Sequence, residues 1–125
     1  MENYKDISTH LFISDSFDFE LTDPNITQLT FGDNFNQPIE KLNFPNLTHI
    51  TFGKNFNQQI IKDIFPPNVT HITFGKNFMK SITEHNLPKS VKFITVPCDM
   101  PISYLNIPVI SIEWSTTFLI CQLRD

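Results

Sequence analysis

One sentence of sequence is written three times in this chain. It reads ITQLTFGDNFNQPI from Ile26, LTHITFGKNFNQQI from Leu47 and VTHITFGKNFMKSI from Val69, and it contains all three glycines, Gly32, Gly53 and Gly75. Self-similarity at a fixed short period is the mark of a solenoid, in which each copy is one coil and buries its apolar face only against its neighbours.

Within a copy the apolar positions follow Val69-x-x-Ile72-x-Phe74-x-x-Asn77-Phe78, then Ile82, then a proline. This is the strand-and-turn half of a leucine-rich repeat. Ile72 and Phe74 alternate with Thr73, so a short strand buries one face and wets the other. Gly75 follows, where a chain leaving a strand sharply gains from the absence of Cβ. The return half carries Pro45, Pro66-Pro67 or Pro88 ahead of the next strand, which excludes a long helix there.

The frame continues beyond the clean copies. Leu11, Leu29, Ile50, Ile72, Ile94 and Ile112 mark strand centres at spacings of 18, 21, 22, 22 and 18 residues. The expected fold is a β-rich, leucine-rich-repeat-like right-handed coil with one parallel sheet of about six short strands. It forms a single solenoid domain over 1–125: an N-terminal degenerate capping repeat (1–25), three clear repeats (26–90) and C-terminal degenerate capping repeats (91–125). Shorter end copies suit caps, because their outer faces meet water.

Stacking then assigns structural roles. Phe31, Phe52 and Phe74 form one internal column and Phe35, Phe56 and Phe78 a second. Each buried ring contributes on the order of 1.5–3 kcal/mol. Asn34, Asn55 and Asn77 are expected to form a ladder that satisfies backbone amides of neighbouring coils. Asn25, Asn46 and Asn68 each begin an N-x-T glycosylation sequon, but their fixed place in the repeat marks these sequons as by-products of it.

The motif FGDNFNQPI/FGKNFNQQI, followed by a proline and the next I/L/V-T-x-I/L-T-F, resembles the FNIP repeat. That unit is leucine-rich-repeat-like and abundant in social amoebae and in giant viruses that infect amoebae. The likeness is close over residues 26–90, with Met79 replacing the Asn after Phe in the third copy. Relatives often carry an F-box, which implies substrate recognition for a ubiquitin ligase. About ten residues precede the first degenerate repeat here, too few for an F-box. The family supplies no catalytic residues to carry over.

Charge is unevenly laid out. Residues 1–40 hold one Lys against eight acids, net −7, while residues 41–92 hold seven Lys against two acids, net +5. The overall −4 and acidic pI near 5.4, with no Arg beside the lysines, argue against nucleic acid as partner. The start, MENYKDISTH, has no apolar leader, and no apolar run approaches membrane-spanning length. Cys98 and Cys121 lack metal-type spacing. These features point to an intracellular protein, cytoplasmic or in host cytoplasm, that is not secreted and not bound to membrane.

On the wet face of the sheet the frame lines up Thr30, Thr51, Thr73 and Thr95 beside a mixed column, Gln28, His49, His71 and Phe93. Threonine is at home in strands; the mixed column is the candidate surface for a protein partner, with Phe93 as its aromatic anchor. His49 and His71 fall on adjacent strands, but no third ligand accompanies them, so neither a metal nor another cofactor is expected. Cys98 falls in the exposed turn slot of Asp33 without a histidine in register, and no paired carboxylates share a cleft. No enzyme is expected. Two classes remain: a scaffold for protein–protein interaction, or a structural protein that self-associates through the solenoid ends. The apolar run Phe118–Leu123 offers the second class a route to homo-oligomers.

Overall fold

The computed structural model describes the backbone of residues 4–7, 9–107 and 111–115, and side chains over 9–107. The strands are β1 (Tyr4–Ile7), β2 (His10–Ile13), β3 (Gln28–Phe31), β4 (His49–Thr51), β5 (His71–Thr73), β6 (Ile82–Thr83), β7 (Phe93–Pro97), β8 (Leu105–Asn106) and β9 (Ser111–Ser115). Seven build one sheet in the order β1-β2-β3-β4-β5-β7-β9, and from β2 onward every neighbour is parallel. The six parallel strands align Leu11, Leu29, Ile50, Ile72, Ile94 and Ile112 in one row, the expected strand centres. The fold is a parallel β-solenoid.

Two features were not anticipated. Strand β1 pairs antiparallel with β2 and adds a reversed strand to the start of the sheet. On the return side, β6 and β8 pair in a small parallel sheet, and 3₁₀ turns occupy Glu84–Asn86 and Ile102–Tyr104. Between residues 53 and 68 the chain is turn and irregular backbone, as the prolines demand.

Each clean coil is made by two turns. In the first, the N–H of Phe35, Phe56 and Phe78 donates to the carbonyl of Gly32, Gly53 and Gly75 at 3.1, 3.4 and 3.2 Å. In the second, Leu47 N–H reaches Phe44 O and Val69 N–H reaches Pro66 O. Pro45 and Pro67 stand directly after those acceptors, the turn position that suits their fixed φ. The glycines are not needed for unusual torsions, since none has positive φ. Their role is close approach. A Cβ on Gly53 would lie 2.4 Å from the Gly32 oxygen, and one on Gly75 would lie 2.2 Å from the Gly53 oxygen.

The phenylalanine columns form as expected. Phe31, Phe52 and Phe74 stack at 5.2 Å between successive ring centroids, tilted by 4° and 6°. Phe35, Phe56 and Phe78 follow at 6.2 and 6.1 Å, and each ring also packs on its column partner in the same coil at 4.0–4.4 Å. Ile39, Ile60 and Ile82 close the core from the return side, and among the described residues no polar or charged side chain is buried.

The asparagine assignment needs correction. Asn34, Asn55 and Asn77 sit at turn corners and are exposed. Their side chains reach no backbone group of a neighbouring coil; Asn77 Nδ2 donates to Asn55 Oδ1 at 3.0 Å. The rungs that satisfy backbone come from the second asparagine of the motif. Asn36 Oδ1 accepts from Asn57 N–H, and Asn57 Oδ1 accepts from Met79 N–H, both at 2.9 Å. A second ladder comes from two sequon asparagines, with Asn46 Nδ2 on Pro24 O and Asn68 Nδ2 on Pro45 O. The physical reason is position: past the turn corner the chain runs alongside its neighbours, so the Asn36 and Asn57 oxygens come within reach of amides of the following coil.

Cys98 also departs from expectation. Its turn is kept, with Met100 N–H on Pro97 O at 3.1 Å, but the side chain is 2% exposed and disulfide-bonded. Cys121 and the Phe118–Leu123 run lie outside the described residues.

Candidate functional site

Alternation along the strands sends every second side chain outward, and the parallel register stacks them in rows. The row expected from sequence is present: Gln28, His49, His71 and Phe93 are paired across β3, β4, β5 and β7. Thr30, Thr51, Thr73 and Thr95 form the row beside it. Two members had gone unnoticed. His10 and Phe12 on β2 stand opposite Gln28 and Thr30, and they extend both rows by one strand. The superposition of Leu11 on Leu29 already implied them.

The mixed row is a stack of rings. His49 and His71 lie with centroids 4.1 Å apart and planes within 12°; His71 and Phe93 follow at 4.7 Å and 23°. Phe93 remains 36% exposed, at the outer end of this stack. At the other end His10 Nε2 bonds Thr30 Oγ1 at 2.7 Å, and its ring stacks on Phe12 at 4.0 Å.

Threonines one residue ahead of His49 and His71 hold those two rings. Thr48 Oγ1 donates to Thr27 O at 3.1 Å and lies 2.8 Å from His49 Nδ1. Thr70 Oγ1 donates to Thr48 O at 3.3 Å and lies 2.8 Å from His71 Nδ1. Burial, and secondarily the neighbouring His71, hold the pKa of His49 below its ordinary value, so its ring is neutral at neutral pH.

Among the described residues no group of three or more His, Cys, Asp or Glu gathers around a common point. Nor is any helix there long and apolar enough to cross a membrane. The return side carries an open groove of about 690 Å³, edged by Pro45, Pro66 and Pro88 with Lys41 and Asp63 at its rim.

No curated protein matches the chain. Among solved structures it is similar to CroV588, a giant-virus protein described as a novel circular LRR protein, at 44% identity and a TM-score of 0.55. That likeness covers 58% of this chain but only 11% of CroV588, so the chain spans a small part of its relative's length. The FNIP Repeat family matches residues 24–55 and 56–99, two spans that take in β3, β4, β5 and β7 together with every outward residue of the mixed row from Gln28 to Phe93. The chain belongs to the FNIP repeat family.

Proposed function

We propose that this protein is a non-catalytic scaffold for protein–protein interaction and that its partner docks on the outward sheet face, across Gln28, His49, His71 and Phe93. The observation that carries this reading is the ring stack His49–His71–Phe93. The core does not need it, yet it places an exposed aromatic at the end of an ordered row. Interface hot spots favour such aromatics, and solenoids present their partners with a regular extended surface. Repeat solenoids of this kind are generally non-catalytic. In an F-box-type adaptor the same face would hold the substrate.

A photo-crosslinking residue at Thr51, on the face, and another at Lys62, on the return side, test the reading. Adducts from cell extract are expected at position 51 and are expected to vanish when Gln28, His49, His71 and Phe93 are all alanine in a folded protein. Adducts at position 62 that survive the quadruple change would move the docking site to the return groove.

A second reading, self-association through the solenoid ends, draws support from the circular form named for CroV588, a form that copies joined end to end could approach. Molar mass measured across a range of concentrations separates the two. A constant monomer mass removes the second.

A further inference from the structure

The two stacked histidines differ from His10 in one respect: each has a threonine on Nδ1 and a bare Nε2. A hydroxyl has one proton to give. Thr48 and Thr70 give theirs to the carbonyls of Thr27 and Thr48, so toward the imidazoles their oxygens can act only as acceptors. In that arrangement Nδ1 of His49 and of His71 carries the ring proton, which leaves a lone pair on each Nε2. His10 instead engages its Nε2 with Thr30.

Building on the face reading above, we propose that His49 and His71 form a proton-sensitive acceptor pair. At neutral pH it selects an uncharged partner segment bearing N–H donors, such as an Asn or Gln side chain beside an apolar residue seated on Phe93. The surroundings narrow the partner's chemistry. Residues 41–92 carry a net +5, and Lys54, Lys76 and Lys92 are exposed at the strand margins, so a cationic segment is repelled. A carboxylate would meet two lone pairs. A metal ion is poorly served as well, because parallel rings hold their lone pairs side by side and not converging on one point.

Protonation reverses this selectivity. The residues that face the pair are Gln28 and Thr30 on β3, Thr51 on β4, Thr73 on β5, and Phe93 and Thr95 on β7, none of them ionisable near neutrality. His10 lies two strands from His49 and is bonded to Thr30; Lys92 stands one residue before Phe93; Glu113 stands opposite Thr95 in register. No carboxylate side chain is bonded to either ring among the described residues. A proton on either Nε2 turns that acceptor into a donor and sets a cation against the other ring. The amide donor is then released and an acidic segment is admitted.

Imidazole ¹⁵N spectra read the first half of the inference directly. Nδ1–H tautomers are expected for His49 and His71 at about pH 7.5, with Thr48→Val and Thr70→Val each shifting the adjacent ring toward Nε2–H. A dominant Nε2–H form in the unaltered protein would overturn it. Blocked dipeptides read the second half: acetyl-Gln-Phe-amide should perturb both Nε2 signals and the Phe93 ring. Its affinity should fall about tenfold for each pH unit below the pKa of the ring it uses. Acetyl-Glu-Phe-amide should bind only on the acid side, and acetyl-Arg-Phe-amide weakly throughout. Equal binding of the three at neutral pH, or no perturbation by the Gln peptide, sinks the selectivity. If crosslinks still fall at position 51, only the donor preference is lost; if they fall at position 62, the face reading fails while the tautomer assignment stands on its own spectrum.

Discussion

Asn57 Oδ1 accepts the backbone N–H of Met79 at 2.9 Å, one full coil further along the chain. Its equivalent, Asn36, does the same for Asn57 and also receives Gln58 Nε2, so the segment after each turn is tied to the coil before it.

Asn57→Ala should therefore cost about 1 kcal/mol through a backbone donor left without its partner. Asn77→Ala, at an exposed corner, should change stability by less than about 0.5 kcal/mol. Urea midpoints for the two variants measure the difference, and equal losses would return the backbone role to the first asparagine.

Close approach of coils makes Gly53→Ala and Gly75→Ala costly, by about 1–3 kcal/mol or more, because the added methyl meets a fixed carbonyl and not a flexible side chain. Gly32→Ala should be milder. Its nearest obstacle, Ile13 O, is at 3.1 Å, and the coil below carries Ser14 in the glycine's place. Thermal midpoints for the three variants should rank accordingly.

Phe52 contacts rings above, below and beside it, so Phe52→Ala should cost about 3–5 kcal/mol. Thr51, one residue earlier and facing outward, should cost no more than about 0.5 kcal/mol on change to alanine. Comparable losses in denaturant melts would contradict the alternation.

Acid should weaken the folded state through His49. Its folded pKa lies below the ordinary 6.5, so between those two values the unfolded chain binds more protons. The contribution is fully present above pH 6.5 and declines as pH falls toward the folded pKa. Unfolding midpoints followed across this window should decline in the native chain, and His49→Gln should flatten the decline.

Much of this molecule was legible in its sequence because a solenoid converts period into position. Once Leu29, Ile50 and Ile72 are aligned, the outward row from Gln28 to Phe93 and both phenylalanine columns follow. The two asparagines of G-x-N-F-N were harder to tell apart. Both recur, both are polar, and only the path of the chain past the corner shows which one reaches the backbone of the following coil. The threonine contacts on the histidine rings needed geometry too, since no spacing records that Thr48 and Thr70 turn their hydroxyls toward Nδ1 of the next residue. Strand β1 left no signal at all: Tyr4-Lys-Asp-Ile7 has no counterpart in the repeat.

That reversed strand gives the solenoid a polarity in growth. A second copy that tried to prolong the coil from the start of the sheet would meet Tyr4–Ile7 running against the grain, with the parallel frame interrupted. Extension by simple continuation of the frame is barred on that side. Any longer fibre or ring built from this chain would need either to peel β1 away or to accept one mismatched seam per copy.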